Sequence, residues 1–301
     1  MTKKALVLGG GGPVGIAWES GLLTGFAEAG VDLSDADFIL GTSAGSFVGA
    51  QLAMGAAPAS LAAPFLAMDD AAPAALPGSA PTPQTAPAPS TVALLRAMEQ
   101  ARNSGKSPQG ILADIGAFAL AAETITEQAF IDSFGRALSR LAPDFWPERA
   151  YACTAVDAVD GSFHLWTRDS GVGLARAVAS SCSVPGIFPP VTLKGRRYID
   201  GGMRSGSNAD QAAGYDHVVI IAIRAGAEGP LAERSKRALD EEIRVLMGAG
   251  STVEVLYPDA ASITAFGPNM MDSRRRPAAA KAGYAQGLAG SKALASLWSA
   301  A

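Results

Sequence analysis

Asp37-Phe38-Ile39-Leu40-Gly41-Thr42-Ser43-Ala44-Gly45 reads as a short apolar strand that ends in a tight turn, with a helix expected from Ser46 to Met54. The pattern Gly-x-Ser-x-Gly between a strand and a helix has a physical reason. The chain must reverse sharply enough to push the serine Oγ out of the sheet, and side chains at Gly41 or Gly45 would collide with the neighbouring strand and helix. Ser43 then lies at a helix N-terminus, where free N–H groups and the helix dipole favour developing negative charge. A plainer reading makes Ser43 the N-cap of that helix, which accounts for the serine but not for the glycine pair. In a chain with 34 glycines the pattern alone is weak, so its setting has to carry it.

Upstream, Ala5-Leu6-Val7-Leu8 is a second apolar run, closed by Gly9-Gly10-Gly11-Gly12-Pro13-Val14-Gly15. A helix is expected from Ile16 to Ala29, with Gly30 as its C-cap. The order so far is strand, loop, helix, strand, turn, helix. Gly10 to Gly15 also satisfies Gly-x-Gly-x-x-Gly, so a dinucleotide-binding module is a rival, with Asp32, Asp35 or Asp37 imitating the ribose-binding acid. The same geometry serves as an oxyanion hole. Pro13 has no N–H, which leaves Gly10, Gly11 and Gly12 as the expected donors. A dinucleotide site has no need of an exposed serine on the very next strand; the combination favours acyl transfer.

Further strands are expected at 150–156, 163–167, 197–199, 218–223 and 252–256. Helical stretches fall at 91–140, 174–181 and 231–247. Alternating strands and helices imply an α/β protein with a largely parallel sheet covered on both faces. Residues 56–91 differ in character: Pro58, Pro64, Pro73, Pro77, Pro81, Pro83, Pro87 and Pro89 stand among alanines and small polar residues. Prolines at that density break regular structure, so the expectation is a flexible insertion at 56–91, with a short helix at most around Leu61, Phe65, Leu66 and Met68. Residues needed for chemistry lie on both sides of it, which favours one domain over 1–301 rather than two joined by a linker.

An activated serine needs a proton acceptor. The chain has two histidines, and both read as strand residues: His164 in an alternating run and His217 at the head of an apolar one. The order Ser43, Asp200, His217 imitates an α/β-hydrolase triad, but the serine turn comes too early and the last interval is cramped. Asp200, in Tyr198-Ile199-Asp200-Gly201-Gly202, ends a strand in a tight turn and is the better candidate.

Composition bounds the rest. The 301 residues are 49% hydrophobic and 17% charged, with a net charge of −4, enough apolar residue for a large core and no basic face for nucleic acid. Two cysteines, Cys153 and Cys182, make no disulfide framework and point to a reducing compartment or to indifference to redox. No His/Cys cluster has zinc-ligand spacing. The N-terminal apolar run is too short for a signal peptide and no run is long enough to span a bilayer. The expectation is a soluble cytoplasmic protein, with peripheral membrane contact left open.

The glycine loop, the early serine turn and the late Asp-Gly-Gly together resemble the patatin-like phospholipase family. A fourth stretch, Ala179-Ser180-Ser181-Cys182-Ser183-Val184-Pro185-Gly186-Ile187-Phe188-Pro189-Pro190, is similar to another of its segments. The resemblance runs from the first strand to at least residue 210, the Pro/Ala insertion excepted. It implies a three-layer α/β/α fold with a mostly parallel central sheet. It also implies a Ser43–Asp200 catalytic dyad, an oxyanion hole at Gly10, Gly11 and Gly12, and supporting roles for Gly15, Gly41, Gly45, Gly201 and Gly202. The activity implied is lipid acyl hydrolysis of phospholipase A or lysophospholipase type, through an acyl-serine and without metal or organic cofactor. Where the family often carries Arg or Lys, this chain has Val14. An inactive, lipid-binding or regulatory version of the fold is the alternative, ahead of the nucleotide-binding module. Phe65, Leu66, Met68 and Phe118 are candidates for an acyl channel, with core packing the commoner use of such residues. Arg274-Arg275-Arg276 is expected to be a solvated surface run.

Overall fold

A computed structural model describes residues 2–68, 89–134, 138, 141–223 and 230–298. Strands β1 (Lys4–Leu8), β2 (Phe38–Gly41), β3 (Tyr151–Asp157), β4 (Phe163–Trp166), β5 (Val191–Leu193), β6 (Arg196–Asp200), β7 (His217–Ile221) and β8 (Thr252–Leu256) form one sheet. Its order is β5-β6-β3-β2-β1-β7-β8, with β4 also on β3. β3, β2, β1, β7 and β8 are parallel neighbours, while β4, β5 and β6 enter antiparallel. The sheet is therefore mixed but mostly parallel.

The helices are α1 (Gly12–Glu28), α2 (Ala44–Ala53), α3 (Ala63–Leu66), α4 (Pro89–Arg102), α5 (Pro108–Ala121), α6 (Glu127–Ser133), α7 (Leu174–Ser181), α8 (Pro230–Gly248), α9 (Ala260–Phe266) and α10 (Arg276–Trp298). Successive side chains of a strand face opposite sides, and β1 shows the result. Leu6 and Leu8 join a core with Val14, Trp18, Val48 and Val178, whereas Ala5 and Val7 join one with Leu239 and Leu246 of α8. A third cluster packs Leu94, Met98 and Ile115 of α4 and α5 against Val156 and Ile199. Helices flank the sheet on both faces, and the central strands, buried on both sides, read as unbroken apolar runs. No described helix is long and apolar enough to cross a membrane.

Three local expectations are corrected. The first helix begins at Gly12, inside the glycine loop, because Pro13 occupies the first turn, where its fixed φ and missing N–H cost nothing. Residues 56–68 are folded rather than flexible. Thr24 Oγ1 donates to Pro58 O at 2.8 Å and accepts from Ala62 N at 3.2 Å, and Leu61 and Ala62 are buried. The short helix falls at α3 as the apolar residues allowed; residues 69–88 of the expected insertion lie outside the described ones. The arginine run is not uniformly solvated either: Arg276 opens α10 and is buried.

Candidate active site

The sheet register explains why Ser43 and Asp200 meet. Ile39 N donates to Ala150 O at 3.0 Å and Ala158 N to Arg197 O at 2.8 Å. Ala150 and Ala158, which flank β3, are both even-numbered, and alternate residues of an extended chain direct their backbone groups to opposite edges, so β2 and β6 share one edge of β3. β2 runs parallel to β3 and ends with Gly41 opposite Cys153; β6 runs antiparallel and ends with Asp200 opposite Ala155. The two C-terminal ends thus face each other along that edge, and the turns that leave them carry the two side chains together.

Ser43 Oγ donates to Asp200 Oδ2 at 2.7 Å, the length of a hydroxyl bonded to a carboxylate. Asp200 Oδ1 accepts from Gly202 N at 2.7 Å, and Asp200 N donates to Ser183 O at 3.0 Å. Ser43 adopts φ 53° and ψ −116°, a conformation rare for any residue with a side chain. Its neighbours hold it there. Ser43 N donates to Ser181 Oγ at 3.0 Å, and Ser43 O accepts from Ser46 Oγ at 2.6 Å and Cys182 Sγ at 3.1 Å. Burial, aided by the Asp200 charge, pushes the Cys182 thiol well up, so its S–H persists as that donor. The 179–190 stretch thereby braces both residues of the pair.

The supporting glycines are places of close backbone approach. A Cβ on Gly41 would strike the Ser46 backbone, one on Gly45 the Leu8 backbone, one on Gly201 the Thr154 side chain and one on Gly15 Ile223 Cδ1 at 2.9 Å. The glycine loop runs directly against the serine: a Cβ on Gly10 would lie 3.2 Å from Ser43 Cβ. One expected donor is lost, however. Gly10 N already donates to Gly206 O at 2.8 Å, so Gly10 is corrected to a structural anchor. Gly11 and Gly12, at the N-terminus of α1, keep N–H groups with no acceptor among the described residues, as the first N–H groups of a helix must.

Neither histidine joins the pair. His164 pairs with Ala155 from the other edge of β3, so that strand stands between it and Asp200. Its ring packs on Trp166 and Tyr198, and burial lowers its pKa. His217 sits opposite Lys4 and Thr252 at the N-terminal end of β7, the far end of the sheet from Ser43.

An apolar cavity of about 180 Å³ opens on Ser43. Its walls are Ile16 and Pro13 from α1, Phe47 from α2, Phe65 from α3, Phe130 and Phe134, Val184 and Phe188, with Met271 and Arg276 from the C-terminal region. Phe130 stacks on Phe188 at 4.5 Å and meets Phe134 edge-on at 5.1 Å. Of the residues considered for an acyl channel, Phe65 lines this cavity; Phe118 packs in the α4–α5 cluster, and Leu66 and Met68 are not in the wall. Arg276 Nε donates to Ser273 O at 3.1 Å, its guanidinium lies over the Phe65 ring, and burial lowers its pKa. Val14, at the position where a cation was absent, is fully buried, with its N–H on Met270 O at 3.2 Å.

Apart from Phe65, the phenylalanine wall and the C-terminal contribution were not read from the sequence, since those residues come from separate elements and share no spacing. Asn208 was also missed; its amide reaches Thr42 Oγ1 at 3.1 Å and Gly201 O at 3.3 Å, next to both members of the pair. No group of three or more His, Cys, Asp or Glu is gathered for a metal among the described residues.

A model of the family described as patatin-like phospholipase matches residues 6–213 of the chain. A comparison with curated proteins finds no match. Among solved structures the chain is similar to VipD from Legionella pneumophila, at 14% identity and a TM-score of 0.46, over 97% of this chain and 67% of that one. It is also similar to the type III effector protein ExoU, at 16% identity and a TM-score of 0.38, over 97% of this chain and 54% of that one. The chain spans little more than half the length of the second of these.

Proposed function

Because this chain belongs to the patatin-like phospholipase family, we propose that it hydrolyses carboxylic esters of lipids by acyl transfer through Ser43 and Asp200, as one catalytic domain. The observation that carries the reading is the 2.7 Å hydrogen bond from Ser43 Oγ to Asp200 Oδ2 at the end of an apolar cavity. Asp200 takes the proton of Ser43 Oγ as the oxygen attacks the ester carbonyl carbon. The carbonyl oxygen becomes an oxyanion facing the Gly11 and Gly12 N–H groups, which are fixed in advance at the helix terminus. The oxyanion collapses, the alkoxide leaves with the proton held by Asp200, and the acyl group stays on Ser43.

Water then enters. Asp200 removes its proton, the hydroxide oxygen attacks the acyl carbon, and the second oxyanion collapses to free the fatty acid and return the proton to Ser43. The cavity supplies the energy for placing an acyl chain, since burying a methylene contributes roughly 0.8 kcal/mol, and its walls are almost wholly hydrocarbon. The test is fatty-acid release from phosphatidylcholine vesicles, lysophosphatidylcholine micelles and a triacylglycerol emulsion. Release from at least one acyl lipid is expected; a folded protein that releases none from any of them overturns the reading.

A further inference from the structure

The residue before the nucleophile and the residue after the base share one partner. Asn208 Nδ2 lies 3.1 Å from Thr42 Oγ1, 3.3 Å from Gly201 O, 2.8 Å from Ser205 O and 3.4 Å from Thr154 Oγ1. Two hydrogens thus serve four acceptors, through shared bonds. Thr154 completes the frame: its Oγ1 is 2.9 Å from Thr42 Oγ1, and on β3 it lies between the residue opposite Gly41 and the residue opposite Asp200.

The amide itself is held. Arg204 Nη1 donates to Asn208 Oδ1 at 2.8 Å, which fixes the amide's orientation. Arg204 is anchored in turn by two bonds to Asp210, at 2.9 and 2.7 Å. Asn208 is completely buried and adopts φ 52° and ψ 34°, a left-handed conformation that Asn tolerates better than most residues.

We infer that Asn208 is a positioning residue for the Ser43–Asp200 pair, tying the turn of the nucleophile to the turn of the base; the inference rests on the acyl-hydrolase reading above. The two side chains come from segments 157 positions apart, and their bond spans the gap between two strand ends. Proton transfer needs that contact at hydrogen-bond length, and a displacement of about 1 Å costs roughly 100-fold in rate. Asn208, Thr154 and Thr42 are not in the cavity wall, so loss of the frame acts on turnover and not on substrate capture.

The experiment measures kcat and KM on a soluble p-nitrophenyl ester, per serine titrated with a fluorophosphonate, well below the melting temperature. Asn208→Ala is expected to lower kcat about 10- to 100-fold with KM within about 2-fold. Thr154→Val keeps the side-chain shape and removes the hydroxyl, so it tests the frame even if the first variant does not fold; its kcat falls, and Thr154→Ser restores it. Leu246→Ala, a core cavity at a residue outside both the hydrogen-bonded frame and the cavity wall, controls for stability alone and keeps the wild-type kcat. Wild-type kcat per titrated serine in both Asn208→Ala and Thr154→Val overturns the inference, as does an equal kcat loss in Leu246→Ala. Should Ser43→Ala prove as active as wild type, the acyl-hydrolase reading itself fails and the inference falls with it, an outcome distinct from the other two.

Discussion

Ser43 holds a backbone conformation that costs a side-chain-bearing residue about 1–3 kcal/mol, and the hydrogen bonds from Ser46 and Cys182 to its carbonyl are what sustain it. Not far away, Glu19 of α1 presents a different cost. It is fully buried, and neither carboxylate oxygen has a partner in hydrogen-bonding geometry among the described residues. Burial pushes its carboxyl well above the usual range, offset only in part by the Gly9 amide. The folded state therefore binds a proton that the unfolded chain has already released, and stability falls as pH rises from the ordinary carboxylate range towards the raised value. Glu19→Gln removes the titration. Its Tm relative to wild type should climb by roughly 2 °C or more between about pH 5 and about pH 8; a pH-independent difference contradicts the assignment. At this scale Ser43 and Asp200 were legible because each sits in a turn motif tied to its strand. Gly10 was not, since its acceptor, Gly206, comes from a loop nearly two hundred residues away, and no local pattern announces such a bond. Asn208 was hidden for the same reason.

At the scale of elements, α1 and α10 meet backbone to backbone. A Cβ on Gly287 would strike Leu22 O and lie 2.9 Å from Phe26 N, and one on Gly25 would strike Tyr284 O. Gly290, three residues beyond Gly287, has only ordinary contact, Phe26 Cε1 at 3.5 Å. Gly287→Ala should therefore destabilise by about 1–3 kcal/mol through overpacking. Gly290→Ala in the same helix should be neutral or stabilising by up to about 1 kcal/mol. Thermal melts of the two variants check this, and equal effects would contradict the close approach. Seven of the eight strands and α7 were legible, the central strands most plainly because they are buried apolar runs. β5 was too short to register against Pro189 and Pro190. α10 went unread because its contact is made by glycines and alanines, with no apolar stripe to betray it; the signal that was present is the four-residue spacing of Gly21 and Gly25 in one helix and of Gly283 and Gly287 in the other.

Across the whole molecule, the C-terminal third supports a site whose two central side chains, Ser43 and Asp200, come from the first two-thirds of the chain. α10 packs on α1, and the segment before it brings Met270 O to Val14 N and Met271 against Gly12, so the loop that carries the proposed oxyanion donors is clamped from the far end of the chain. The α/β architecture was legible from alternating patterns, whereas this clamp and the phenylalanine wall depend on contacts that only the folded chain makes. The reaction proposed for this chain depends on a pair without histidine, and one measurement reaches it directly. Wild type, Ser43→Ala, Asp200→Asn, His164→Ala and His217→Ala are each given a fluorophosphonate probe and a p-nitrophenyl ester series of increasing acyl length. Labelling and turnover are expected in wild type and in both histidine variants. Neither is expected in Ser43→Ala, and turnover should fall by about 10³-fold or more in Asp200→Asn. Full activity in Asp200→Asn, or its loss in His164→Ala or His217→Ala, would contradict the Ser43–Asp200 mechanism.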